Sequence, residues 1–338
     1  MKHKRMVCVL LVVLLAAACV GCAAQEPPAV LKVAALKGPT GMGLAYVMSE
    51  QAEQFPIELQ DAPDVVSAKF INGEIDIAAV PINLASVLYN RTEGEAVMIA
   101  VNTLGVLYIL ENGETVQSFA DLAGKKLYAT GQGSTPQFVL EYLLEKNGLT
   151  GKVEVEYLAE HASLATMMAA GEAELAMLPE PNVSSVLLKN DSVRVALDLT
   201  AEWDAVSDTA LLQGCYIVRK SVLEEEPEAV KAFLDAAADS ATRVNEEEDA
   251  AALIAELGIV GSEAIAARAI PNCNIVCITG DEMRQASQAM LQVLFDANPS
   301  SVGGALPDDA LYASLEIVTV TLAIVKVSLP ISSRRLFP

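Results

Sequence analysis

Histidine, tryptophan and basic residues are scarce in this sequence of 338 residues, and each scarcity removes a class of function. There are two histidines, His3 and His161, and one tryptophan, Trp203. With so few imidazoles, a zinc site of cysteines and histidines is barely assembled, and no Ser/His/Asp signature surrounds His161 to make it a catalytic base. His161 is therefore expected to be an exposed, ordinary histidine, and the chain is expected to be no enzyme and to hold no metal or cofactor. Lys and Arg number 22 against 44 Asp and Glu, a formal charge of −22. Nucleic acid and anionic headgroups are poor partners for such a surface. No apolar run reaches the roughly 20 residues that a membrane-spanning helix needs.

What is present begins with an address. Lys2, Lys4 and Arg5 precede an apolar run from Met6 to Val20, followed by the small residues around Gly21 and Cys22. A basic start, an apolar middle and a small-residue junction make a secretory signal over residues 1–22. Its removal takes away those three cations and no acid, so the formal charge moves from −22 to −25. Cys8, Cys19 and Cys22 lie in that segment, which leaves Cys215, Cys273 and Cys277 as three buried thiols or as one disulfide and an odd thiol.

Strand-like aliphatic runs then alternate with helical patterns. Strands are expected near 30–36, 57–61, 75–80 and 97–103, with helices starting near Gly41, Asp64 and Asn83. A second alternating set runs from the strand at 125–130 through VEVEYL, a helix at 163–170, ELAMLP, a helix at 182–188 and VRVALDL. Alternation of this kind gives parallel strands with crossover helices. GCYIVRKS, residues 214–221, reads as a returning strand, and the chain beyond it reads as mostly helical: 227–245, 249–257, 263–269 and 281–297. Lobe one is thus expected to combine 30–104 with 216–313, and lobe two to span 105–215, with two crossings as a hinge. The tail 314–338 reads as an appended, poorly ordered segment or an extra edge strand.

One pattern occurs twice. NGEIDIAAVPIN, residues 72–83, and AGEAELAMLPEPN, residues 170–182, match at Gly, Glu, Ala and Pro from Gly73 and Gly171 onward. In an open parallel sheet, ligands bind beyond the carboxyl ends of the strands. Pro81 and Pro179 end each ladder because proline has no N–H to donate. Asn83 and Asn182 are suited to cap the next helix. Two more turns point to the same edge. In LKGPTGMG, residues 36–43, glycines including Gly41 let backbone approach a ligand and Thr40 can cap. In TGQGSTPQ, residues 130–137, which holds Gln132, either Ser134 caps, with Gln137 at capping-box spacing, or Thr135 does, ahead of Pro136.

Together the Gly-Cys junction, ALKGPTGMG, GEIDIAAVP, DLAGKKLYATGQGSTPQ, GEAELAMLPEPN and IPNCNIVCITGDEM resemble the extracytoplasmic substrate-binding proteins of ABC importers, in the branch that binds nitrate, sulfonates, taurine and thiamine precursors. The likeness runs over about residues 30–313. It implies the type II periplasmic-binding fold, an α/β protein of two lobes joined by crossing strands that closes on its ligand. It further implies lipidation of Cys22, with Cys19 as the second candidate, and so a monomer anchored by lipid outside the cell membrane, delivering a small molecule to an ABC permease. The alternatives are a ligand-sensing partner of a membrane receptor and an enzyme of thiamine-pyrimidine metabolism.

The candidate ligand-binding residues are Lys37, Thr40, Gly41, Asn83, Gln132, Ser134, Thr135, Glu180, Asn182 and Asn272, the last placed near the cleft by the resemblance. Lys37 is the one cation in these loops. Glu180, between Pro179 and Pro181, favours a ligand with an N–H donor or a positive centre, a nitrogen-containing or zwitterionic molecule, over a simple anion. Trp203 is read as a core or surface residue at least as readily as a stacking platform.

Overall fold

The computed structural model describes residues 28–315, so the expected signal at 1–22, Cys19, Cys22 and residues 316–338 of the tail lie outside the described residues. Eleven strands are found among the described residues, in chain order: β1 Val33–Leu36, β2 Ile57–Gln60, β3 Ile77–Pro81, β4 Ala96–Leu104, β5 Leu107–Asn112, β6 Lys126–Ala129, β7 Glu154–Tyr157, β8 Leu175–Pro179, β9 Val193–Asp198, β10 Leu212–Arg219 and β11 Ile275–Ile278. They form two sheets, one ordered β11-β4-β10-β3-β1-β2 and the other β7-β6-β8-β5-β9. The chain leaves the first sheet at Leu104 and enters the second at Leu107, then returns from Asp198 to Leu212 through the helix Leu199–Asp204.

The strand sequences match their places. IAAVP in β3 and AVMIAVNTL in β4 are apolar along nearly their whole length because both faces are covered by helices. EVEY in β7 alternates exposed and half-buried positions, as an edge strand with one wet face does. In the helix Pro227–Glu246, Val230, Phe233, Leu234, Ala237, Ala241 and Val244 recur at helical spacing and make one buried stripe. Trp203 is fully buried, donates from Nε1 to the Thr209 carbonyl at 2.7 Å and packs on Tyr142, so it is a core residue.

Two details refine the expectation. Most strands of each sheet point one way, but the pairing is mixed: β1 pairs in parallel with β2 and β3, and β6 with β7 and β8, but β10 runs against β3 and β4, and β5 against β8 and β9. The strands that carry the chain across start at the edge where β3 and β8 end, and so they run the opposite way. Second, the region after residue 219 is not all helix. β11 adds to the edge of the first sheet beside β4, after the left-handed turn at Asn274, φ 44°.

Between the sheets the helices meet. Gly280–Ala297 and Ile82–Arg91 pack on Thr135–Lys146, and Glu263–Ala269 packs on Asn182–Leu187. A buried cluster with Leu88, Leu143 and Met290 runs through the first of these contacts.

Candidate functional site

The carboxyl ends of β1, β3 and β8 open on one cleft of about 750 Å³, counting its open mouth. Leu36, Pro81 and Pro179, the last residues of those strands, all line it. A hollow of about 770 Å³, also open to solvent, adjoins it and shares Asp61, Pro63, Ser134 and His161. The two matched prolines thus sit at one cavity, each as the last paired residue of its strand, Pro81 opposite Gly214 and Pro179 opposite Leu107.

Of the ten candidate residues, Lys37, Thr40, Ser134, Glu180 and Asn182 line the cleft, and Gln132 and Ser134 line the adjoining hollow. Lys37 is exposed at the mouth and pairs with Asp61 at 2.9 Å. Thr40 does not cap. It lies inside the short helix Pro39–Met42, and its hydroxyl donates to the Leu36 carbonyl at 2.9 Å. Gly41 is buried away from the cleft. A Cβ there would lie 2.8 Å from the Leu36 carbonyl, so its smallness serves the turn's own packing. Ser134 occupies the cap position of Thr135–Lys146 without a side-chain cap bond: the Gln137 N–H donates to the Ser134 carbonyl at 3.1 Å, and Gln137 Oε1 accepts from the Gly133 N–H at 2.7 Å.

Asn83, Thr135 and Asn272 are elsewhere. Asn83 does not cap as its sequence position suggests: the helix Ile82–Arg91 begins one residue earlier, so Asn83 falls within its first turn and its side chain is buried. Its Nδ2 donates to the Ser301 carbonyl at 3.0 Å, and its Oδ1 accepts from the Thr135 hydroxyl at 2.9 Å. This bond ties the helix that follows β3 to the helix that follows β6, so the pair joins the two halves of the molecule. Asn272 is exposed, its Nδ2 donating to the Arg268 carbonyl at 3.2 Å and its carbonyl accepting from the Tyr108 hydroxyl at 3.5 Å.

Glu180 has the role expected of Asn182. Its carboxylate accepts from the Ser184 N–H and the Ser184 hydroxyl, both at 3.0 Å, and so caps the helix Asn182–Leu187, whose first residue is Asn182 itself. Only 2% of Glu180 is exposed. Burial raises its pKa above the usual carboxylate value, while the Ser184 bonds, the Arg268 charge and Asn272 pull it back down. The peptide bond to Pro181 is cis. Since Lys37 is taken up by Asp61, the charge left over in the cleft lining is that of Glu180.

Asp61, Thr103, His161 and Gln213 also line the cleft and were missed as site residues. Asp61 follows the end of β2 and was open to the strand-end rule that located the other loops. His161 is not the exposed histidine expected. It is half-buried, with Nδ1 2.6 Å from the Thr130 hydroxyl, and burial pushes its imidazole down to about 4. Its place as the first residue of the helix His161–Ala169 also disfavours positive charge. Cys215, Cys273 and Cys277 are free thiols held high by burial, and the described residues contain no group of three side chains suited to a metal.

Two mixed sheets flanked by helices, joined by crossing strands around a cleft, define the type II periplasmic-binding architecture. The comparisons agree with the resemblance read from the motif order. Residues 87–251 match the family described as NMT1/THI5 like. An ABC transporter protein of Parabacteroides distasonis superposes with a TM-score of 0.72 at 24% identity, over 85% of this chain and 99% of its own. The alkanesulfonate-binding protein SsuA of Xanthomonas axonopodis pv. citri, bound to MOPS, gives 0.66 at 16% identity, over 84% and 96%. The nitrate-binding protein NrtA of Synechocystis gives 0.53 at 13% identity, over 68% and 66%. No curated protein sequence matches.

Proposed function

We propose that this protein is the extracytoplasmic, lipid-anchored receptor of an ABC importer, which captures a small nitrogen-bearing molecule between two lobes and delivers it to the permease. The observation that carries the reading is the buried carboxylate of Glu180 in a cleft whose remaining charges, Lys37 and Asp61, neutralise each other. A simple anion entering that site would meet the Glu180 carboxylate in a partly dry environment, its charge offset only in part by Arg268, which lies outside the lining. A ligand with an amine, amidine or ammonium group would instead supply the hydrogens that the carboxylate can accept. The shared architecture with sulfonate- and nitrate-binding proteins supports capture and delivery. The basic, apolar, Gly-Cys start supports the lipid anchor on Cys22.

Calorimetry on the wild type and Glu180→Gln tests this with taurine, cytosine, nitrate and methanesulfonate. Loss of a charge-assisted hydrogen bond costs about 1.5–3 kcal/mol, so the variant should bind the nitrogenous ligand roughly tenfold or more weakly. Wild-type affinity for the nitrogenous ligand should fall as pH drops through the raised pKa of Glu180, since the protonated carboxyl no longer attracts a cation. Tight binding of nitrate or methanesulfonate, unchanged or improved in Glu180→Gln, would reject Glu180 as a recognition group.

A further inference from the structure

The cleft has a second polar feature, on the strand where the chain returns to the first sheet. Along the β10 and β4 pair, Leu212 faces Leu104 and Gly214 faces Thr103, so Gln213 is an extra residue with no partner across the ladder. One step further, Cys215 faces Val101, and Asn102 is the extra residue on β4. Such bulges free a side chain from the alternation of the strand and re-aim it. Gln213 is only 8% exposed, yet it lines the cleft, and its Nε2 has no hydrogen-bond partner among the described residues.

Asn102 Nδ2, on the adjoining bulge, also lacks a partner among the described residues, but Asn102 does not line the cleft, and the other buried polar side chains that do line it are engaged. The Thr40 hydroxyl donates to the Leu36 carbonyl, the Thr103 hydroxyl to Asn102 Oδ1, and Glu180 accepts from Ser184. The backbone beside Gln213 is also fixed. A Cβ on Gly214 would lie 2.5 Å from Asn102 Oδ1 and 3.1 Å from the Thr40 methyl, so the neighbours close on a glycine and hold the bulge. A buried amide N–H without a partner is costly and rare in a native fold, and at the wall of a cleft its natural partner is the molecule that enters.

We infer that Gln213 is a ligand-recognition residue, its amide donating a hydrogen bond to an acceptor oxygen of the bound molecule. The ligand therefore carries a carbonyl, carboxylate or sulfonate oxygen as well as the N–H group that faces Glu180. This rests on the proposed ligand-binding reading and narrows its ligand class to molecules with a donor at one place and an acceptor at another. Gln213 discriminates by that oxygen, as Glu180 does by the nitrogen.

The test uses Gln213→Met, which keeps the side-chain length and removes the amide. Without ligand, its melting temperature should equal or exceed that of the wild type, because an unpartnered buried donor has been removed. A lowered melting temperature would show that the amide supports the fold and would overturn the inference. Binding is then measured with two probe pairs, cytosine against 4-aminopyrimidine and taurine against ethylamine, in which only the first member has the acceptor oxygen. For a pair that binds, the wild type should prefer the first member by about tenfold, the value of one such hydrogen bond. Gln213→Met should erase that preference, whereas Glu180→Gln should weaken both members. A preference that survives in Gln213→Met sinks the inference alone. If no probe binds the wild type, the nitrogenous-ligand reading fails, and the melting comparison alone decides the role of Gln213.

Discussion

The segments leading into β3 and β8 share one backbone plan and divide the work. The helix Pro63–Ile71 and the helix His161–Ala169 have the same length, each is followed by a left-handed glycine, Gly73 at φ 72° and Gly171 at φ 75°, and each leads to a five-residue strand ending in proline. Each strand then pairs in parallel on one side and antiparallel on the other. The copies part after the proline. In the first, Asn83 turns inward and bonds across to Thr135. In the second, Glu180 stays at the cleft and caps its own helix. One scaffold thus supplies a joint between the halves in one place and a buried acidic cap at the cleft in the other. Side chains beyond the strand ends, not the strands, assign the duties.

Three measurements press on that comparison. The largest effect is expected at Asn83. Asn83→Ala leaves the Ser301 carbonyl and the Thr135 hydroxyl buried without their partner, which should cost about 2–4 kcal/mol in urea unfolding. Asn182→Ala, at a half-buried position with no cap bond, should cost under about 0.5 kcal/mol. Equal costs would erase the division between joint and cleft.

Next comes the first residue of each preceding helix, where Pro63 cannot titrate and His161 can. The folded pKa of His161, about 4, lies below its ordinary value of 6.5, so the folded state excludes a proton that the unfolded chain binds. Stability is therefore lost as pH falls from about 6.5 toward 4. The full shift bounds the loss near 3 kcal/mol, and the ring's partial exposure reduces it to about 1–2 kcal/mol. Chemical unfolding of wild type and His161→Gln across that window should show the gap between them closing in the variant's favour as pH falls. A constant gap would mean that His161 keeps its ordinary pKa.

The smallest effect concerns the shared backbone. Gly73→Ala and Gly171→Ala each place a side chain at positive φ and should each cost about 1 kcal/mol. At Gly73 the new Cβ also meets the guanidinium end of Arg219, which is flexible and can move aside, so the first loss should exceed the second only slightly. A large loss at one site and none at the other would show that the common plan is superficial.

Much of this was legible because it was local. The repeated Gly, Glu, Ala and Pro marked both strands that end at the cleft, and the helical periods at 227–245 and 281–297 fall within a residue or so of Pro227–Glu246 and Gly280–Ala297. What escaped was decided by tertiary register. Asn83 has a good cap side chain, but a helix start shifted by one residue turned it inward. Four residues, IVCI after a left-handed asparagine, are too few to reveal β11 by periodicity. Gln213 owes its aim to a mismatch with a strand more than a hundred positions earlier, which no window of sequence contains. His161 reads as a lone surface residue until Thr130, just past the end of β6, is brought beside it.

The link from β4 to β5 is only Gly105 and Val106, three Cα steps of 3.80 Å each, a contour of at most about 11 Å. It is also moored: Leu104 N–H donates to the Asn274 carbonyl at 3.1 Å, the Asn274 side chain donates to the Gly105 carbonyl at 2.6 Å, and a Cβ on Gly105 would run into Thr200. The other link, Leu199 to Leu211, is longer and folded, with a helix anchored in the core by Trp203. The contour of the Gly105–Val106 link fixes the greatest separation of Leu104 and Leu107, so the two sheets stay adjacent at Gly105 whatever the contacts elsewhere between them do.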